Sequence, residues 1–304
     1  MKKNASIYVV AGEGCLGKAI VRKLEKKGFH NLLLNRLDLT SQSKVESFFR
    51  KEKPEYVFLP SFKTGGIFAN SNFPADFIYQ NIASDTNLIN SAFKYGVKKL
   101  LYLGSACSYP KICRQPIKEE YLLTGGIEET NEPYAISKIS GIKMCQSYNR
   151  QYKTNFIFAI PTNFYGPYDD FGEGGHVIAS LIKKFHTAKQ ERKELVKIWG
   201  TGKPKREFLF VDNVADACIF LMEHYEDSEL INISGGEEIS IKNLAEKLKK
   251  IAGFKGKIVY ETDKPDGMPR RILDLTKIFA LGWRPKISLK EGLKLTYQWY
   301  KNNY

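Results

Sequence analysis

Ile7-Tyr8-Val9-Val10-Ala11-Gly12-Glu13-Gly14-Cys15-Leu16-Gly17 is the stretch on which the fold turns. An apolar, β-branched run leads into three glycines spaced Gly-x-Gly-x-x-Gly, and residues 18–27 then read as a helix. Short apolar runs bounded by turn residues are the signal of a buried strand. Glycines at a strand-to-helix junction permit a tight turn and let backbone N–H groups at the helix N-terminus approach a pyrophosphate. Gly12, Gly14, Cys15, Leu16 and Gly17 are therefore expected to cradle a dinucleotide. Alone the spacing is weak evidence; its position at the first strand–helix junction gives it weight.

The rest of the chain agrees with that reading. Strands are predicted over 7–11, 31–34, 56–59, 99–104 and 156–161, with helices over 18–27, 45–51, 75–95 and 133–152 between them. Strands alternating with helices give an α/β fold with a Rossmann-type, doubly wound parallel sheet. Beyond Pro161 the pattern loosens into a turn-rich loop to Gly175, a helix over 176–189, a strand over 196–199, a helix over 213–224, and short α/β segments over 231–233, 244–252 and 258–260. We expect a dinucleotide-binding domain over 1–165, with a returning segment near 206–233, and a smaller α/β substrate-binding portion over 166–304.

Composition narrows the function. No apolar run approaches the roughly 20 residues of a membrane span, and the Lys2-Lys3 start leads into a strand, so a cytoplasmic protein is expected. The net charge is +14, but the lysines are dispersed and no aromatic-basic motif appears. Nucleic acid is thus not an expected partner, whereas anionic small molecules such as nucleotide diphosphates are. The five cysteines are odd in number and lack metal-ligand spacing. Reduced thiols and no metal site are the expectation.

Two further features carry chemistry. Arg36 stands at the end of the second predicted strand, where an arginine would take a ribose 2′-phosphate and favour NADPH; Asp38 follows, where a carboxylate would take a 2′-OH. Tyr134 and Lys138 are four apart, hence on one face of a helix. The Lys138 ammonium can lower the pKa of the Tyr134 phenol from about 10 and so fit it to protonate a carbonyl oxygen as hydride reaches its carbon. Ser105 would hold that oxygen, and Cys107 would add a second acid/base.

The most specific stretches are Lys63-Thr64-Gly65-Gly66-Ile67, Gly104-Ser105-Ala106-Cys107-Ser108-Tyr109-Pro110, Asn131-Glu132-Pro133-Tyr134-Ala135-Ile136-Ser137-Lys138, Pro161-Thr162-Asn163-Phe164-Tyr165-Gly166-Pro167, Arg206-Glu207-Phe208-Leu209 and Lys264-Pro265-Asp266-Gly267. With these the chain resembles the extended short-chain dehydrogenase/reductases and, within them, the GDP-L-fucose synthase family, over nearly its full length. The resemblance implies NADPH-dependent C4 reduction of a GDP-linked 4-keto sugar, with 3,5-epimerisation, for polysaccharide biosynthesis. It implies Ser105, Tyr134 and Lys138 as the reductive triad and Cys107 and His176 as the epimerisation pair. It further implies Pro161, Asn163 and His176 beside the cofactor, and Lys184, Trp199, Arg206 and Asp266 on the GDP-sugar. Helices 75–95 and 133–152 would pair across a two-fold axis as a four-helix bundle, making a homodimer.

The departures from the family pattern lie on the cofactor side and in one loop. Ala11 stands where glycine is common, Glu13 where an arginine helps bind the 2′-phosphate, and Pro60-Ser61-Phe62 where small alanines are usual. The loop 169–175 also differs, just before His176. A GDP-4-keto-heptose reductase lacking one or both epimerisations is therefore the alternative. A 4-epimerase with retained NAD and a non-catalytic nucleotide-binding scaffold are the remaining readings.

Overall fold

Each strand in the first half of the chain returns parallel to an earlier one, because each is apolar on both faces and must be covered by helices on both sides. The computed structural model describes residues 1–60, 62–172, 175–264, 266 and 268–304, with side chains for all of these except Ile67 and Phe68. Ser61 of the Pro60-Ser61-Phe62 stretch, positions 173–174 of the loop before His176, and Pro265 and Gly267 of the Lys264 motif lie outside the described residues. The first half comprises β1 (Ile7–Val9), α1 (Cys15–Lys26), β2 (Leu32–Leu33), α2 (Gln42–Glu52), β3 (Tyr56–Leu59), α3 (Ile67–Asn72), α4 (Pro74–Lys94), β4 (Lys99–Leu103), α5 (Glu132–Tyr152) and β5 (Phe156–Pro161). The chain continues through β6 (Asn163–Tyr165), α6 (Val177–Gln190), β7 (Leu195–Trp199), β8 (Lys205–Phe210), α7 (Val211–His224) and β9 (Ile231–Ile233). It ends with β10 (Glu238–Ser240), α8 (Ile241–Ala252), β11 (Lys257–Glu261), β12 (Arg270–Arg271), α9 (Thr276–Ala280) and α10 (Leu289–Asn303).

Among the described residues one parallel sheet runs β2-β1-β3-β4-β5-β9, in registers such as Ile7↔Tyr56, Leu100↔Phe156 and Ala159↔Ile231. This is the expected doubly wound α/β sheet. The chain reverses direction across it at β1, and the carboxyl ends of β1, β4 and β5 lead into the Gly12 loop, Ser105 and Thr162. That is where ligands bind in open α/β sheets. Smaller sheets lie beyond it: β8 pairs with β6, β10 and β12, and β7 with β11. Buried residues from Ile7 to Tyr300 form one hydrophobic cluster through both regions.

The structure corrects the sequence reading mostly in the second half, and once, at α3, in the first. β6, β8, β10 and β12 are unforeseen strands of two to six residues, and α3, α9 and α10 are unforeseen helices. For α10 the signal was present: the Ser288 hydroxyl caps the helix by accepting from the Glu291 N–H, an arrangement written in the order Ser-x-x-Glu.

Candidate active site

The glycine loop is built by backbone crowding. The Gly14 N–H donates to the Ala11 carbonyl at 3.0 Å, closing a turn in which Ala11 adopts φ +52°. That left-handed conformation explains why glycine suits this position. A Cβ on Gly17 would stand 2.3 Å from the Ala11 oxygen and 2.6 Å from the Gly12 Cα, so only glycine lets α1 approach so closely. Gly14 caps α1 and no acidic residue occupies its first turn, leaving the N-terminal N–H groups and dipole available to an anion. A cavity of about 290 Å³ opens beside the loop, lined by Gly12, Glu13, Leu34, Arg36, Asp38 and Phe62 among others. The cradle, the helix N-terminus and the cavity suit a dinucleotide. Cys15 starts α1, its thiol pushed well above the ordinary range by burial and then by the charge of Asp169. Leu16 is buried.

Charge in this cavity is partly self-satisfied. Glu13 Oε2 lies 3.8 Å from Arg36 and 3.6 Å from Lys18. Asp38 lines the cavity, but its Oδ1 accepts the Thr40 hydroxyl at 2.7 Å and its Oδ2 the Lys44 ammonium at 3.4 Å. These partners, Thr40 first, hold its carboxyl below the ordinary value.

At the end of β4, Ser105 opens a short 3₁₀ turn, Ala106–Ser108, and its Oγ accepts the Cys107 N–H at 3.3 Å. The turn sets Ser105 and Cys107 side by side. The Cys107 Sγ receives the Asn131 amide at 3.2 Å and the Arg271 guanidinium at 3.5 Å. Arg271 was not singled out from the sequence, since a lone arginine on a two-residue strand has no pattern. Its Nε is buried with no hydrogen-bond partner among the described residues. Tyr134 lies in the first turn of α5 with its ring edge-on to Phe77. Lys138, one turn on, is fully buried, and its ammonium meets Asp85 on α4 at 3.3 Å. Asn81 on the same helix accepts the Lys63 N–H and donates to the Lys63 carbonyl, tying the Lys63 segment to α4.

The residues expected at the sugar nucleotide lie on the second region. Arg206, on β8, is mostly buried and shares a field with Arg271; burial first and that neighbour second bring its pKa down to about 10. Trp199 ends β7 and is 62% exposed, an open aromatic face. The Lys184 ammonium donates to the Lys197 carbonyl at 3.0 Å, and burial lowers its pKa. Asp266 accepts both the Thr201 N–H at 2.9 Å and its hydroxyl at 2.6 Å, so it braces the turn after Trp199. His176 caps α6 and faces Asp169 at 3.8 Å, which raises its pKa against the opposing effect of burial. Pro161 is buried at the end of β5, and Asn163 is exposed at the start of β6.

The NAD dependent epimerase/dehydratase family model matches residues 7–234. The GDP-L-fucose synthase 1 of Arabidopsis thaliana is 52% identical over 305 residues, covering 99% of this chain and 94% of that protein. The chain belongs to the GDP-L-fucose synthase family. Solved structures of similar fold include a GDP-6-OMe-4-keto-L-xylo-heptose reductase from Campylobacter jejuni, with TM-score 0.96 and 39% identity over 100% of this chain and 99% of the other. A GDP-mannoheptose C4 reductase from the same organism, with NADP bound, gives TM-score 0.91 and 41% identity over 99% of each chain.

Proposed function

We propose that the protein is an NADPH-dependent reductase acting at C4 of a GDP-linked 4-keto sugar, converting GDP-4-keto-6-deoxy-D-mannose to GDP-L-fucose with inversion at C3 and C5. The observation that carries this reading is the turn that sets Ser105 beside Cys107, with Arg271 directed at the thiol. One loop thereby offers both a carbonyl-oxygen donor and an acid/base.

The 4-keto group acidifies the C–H bonds at C3 and C5. Cys107 and His176 are the pair that removes a proton from one face and returns one to the other, a thiol and an imidazole both being competent for such transfers. Asp169 favours the protonated imidazole, which suits His176 to the acid role. Ser105 and Tyr134 stabilise the enolate oxygen between these transfers. NADPH, when bound, supplies the hydride to C4, and Tyr134 gives its proton to the C4 oxygen. The Gly12–Gly17 loop and Arg36 would hold the cofactor. Arg206 and Arg271 suit the diphosphate of the sugar nucleotide, with the exposed Trp199 face for its ring.

A GDP-4-keto-heptose C4 reductase that spares one or both epimerisations is the second reading, favoured by the Campylobacter jejuni relatives. Incubation with GDP-4-keto-6-deoxy-D-mannose and NADPH in D₂O, read by NMR, decides between them. GDP-L-fucose deuterated at C3 and C5 is the expected product. Reduction without label or inversion gives a C4 reductase alone, and no turnover favours the heptose. Tyr134→Phe should lower turnover at least about 100-fold while NADPH still binds.

We also infer a homodimer through α4 and α5, whose outer surfaces leave Tyr79 66% and Tyr152 46% exposed. Tyr152 stacks on Phe93 across the two helices, centroids 4.2 Å apart. Light scattering at micromolar concentration should give twice the chain mass; a monomer mass refutes the dimer. All five cysteines are free thiols, which suits the cytoplasm.

A further inference from the structure

The catalytic lysine is served by a buried carboxylate that the reaction as described does not use. Lys138 is completely buried, and its Nζ lies 3.3 Å from Asp85 Oδ2, itself 2% exposed. The Tyr102 hydroxyl donates to the same Oδ2 at 2.6 Å, a short bond of the kind an ionised acceptor makes. The face of the Tyr102 ring lies 4.3 Å from the Lys138 ammonium, close enough for cation–π attraction. One tyrosine on β4 thus grips the anion with its hydroxyl and the cation with its ring. The second oxygen, Oδ1, is buried with no hydrogen-bond partner among the described residues, so the carboxylate is held through Oδ2 by Tyr102 and Lys138.

The surrounding backbone makes room for this arrangement. A Cβ on Gly141 would stand 2.2 Å from Tyr102 Cζ and 2.3 Å from its hydroxyl. Only a glycine one turn after Lys138 lets the Tyr102 side chain reach between α4 and α5. Among the described residues the titratable groups around Lys138 are Asp85 from α4, Tyr102 from β4 and, along α5 itself, Cys145, while Tyr134 acts on Tyr102. Asp85 is the carboxylate among them, and a buried ammonium without a counter-charge neutralises.

We propose that Asp85, steadied by Tyr102, is a positioning residue of the reduction: it fixes the Lys138 ammonium one turn from Tyr134 and keeps it cationic. This rests on the reading of Tyr134 and Lys138 as the proton-donating pair. Burial acts to lower the Lys138 pKa, and Asp85 is what opposes it. Without Asp85 the lysine loses its charge at lower pH, and Tyr134 loses the cation that tunes it.

The test is the pH profile of kcat and KM, with the keto sugar and NADPH, for wild type, Asp85→Asn, Tyr102→Phe, the double variant and Tyr134→Phe. Asp85→Asn should lower kcat near pH 8 about tenfold or more and move the alkaline limb of the profile to lower pH, with KM for the sugar little changed. Tyr102→Phe should move that limb the same way by less, and the double variant should match Asp85→Asn, because Tyr102 acts through Asp85. An Asp85→Asn limb that superposes on wild type overturns the inference, even if the protein is less stable. Should Asp85→Asn fail to fold, Tyr102→Phe decides: an unmoved limb overturns it. Wild-type turnover in Tyr134→Phe would instead overturn the underlying reading as well, so the two failures are distinguishable.

Discussion

Glu13 sits between two cations that a 2′-phosphate would want. Its carboxylate lies 3.8 Å from Arg36 and 3.6 Å from Lys18, while Glu13 and Arg36 side chains are 57% and 87% exposed. So exposed a pair contributes at most about 1 kcal/mol, and incoming phosphate can displace it. The displaced carboxylate nevertheless remains near a dianion and repels it. Glu13→Gln should therefore tighten NADPH several-fold and leave NADH unchanged, whereas Arg36→Ala should weaken NADPH alone. Cofactor-fluorescence titration without sugar checks both, and parallel changes in the two cofactors would show that Glu13 acts on the fold of the loop instead. Phe62 closes another side of the same cavity, occupying volume where the family resemblance leads one to expect an alanine.

At the scale of elements, the loop leading to His176 depends on the far end of the chain. Tyr168 and Phe171 pack on Trp299 of α10 with ring centroids 4.8 and 5.9 Å apart, and Phe171 also meets Tyr300 at 4.6 Å. The Lys18 ammonium covers the other ring, 4.1 Å from the Tyr168 centroid. Each aromatic pair is worth about 0.5–1.5 kcal/mol beyond its buried area. Trp299→Ala should lower stability by about 2–4 kcal/mol and, in the surviving fold, raise KM for the sugar more than KM for NADPH. Equal rises would mean that the clamp does not reach the sugar side. The sequence made little of this visible. β1, β3, β4 and β5 were legible because burial on both faces writes a continuous apolar run. β10 and β12 span three and two residues, Glu-Ile-Ser and Arg-Arg, so no apolar run marks them as it marks the equally short β2 and β9. Ser105, Cys107 and Tyr134 sit in dense local patterns, whereas Asp85 meets Lys138 and Arg271 meets Cys107 only through the folding of distant segments.

Across the whole molecule, Glu207 ties β8 to the segment after β12 at an electrostatic cost. It is 1% exposed on β8, and its Oε2 accepts the Leu273 N–H at 2.8 Å from the segment after β12. Burial pushes its pKa from an ordinary 4.5 up to about 7. A carboxyl whose folded pKa is raised favours the folded state fully below the unfolded value and loses that contribution as pH climbs to the folded one. Stability from this group should therefore fall between about pH 4.5 and 7, by up to roughly 3 kcal/mol. Glu207→Gln keeps a carbonyl oxygen for the Leu273 N–H but removes the ionisation. Urea melts at fixed protein concentration should show the variant gaining on wild type by about 1–3 kcal/mol between pH 5 and pH 8. A constant difference across that window would mean the Glu207 carboxyl ionises in the fold as it does in the unfolded chain, and that the tie between β8 and the segment after β12 carries no such cost.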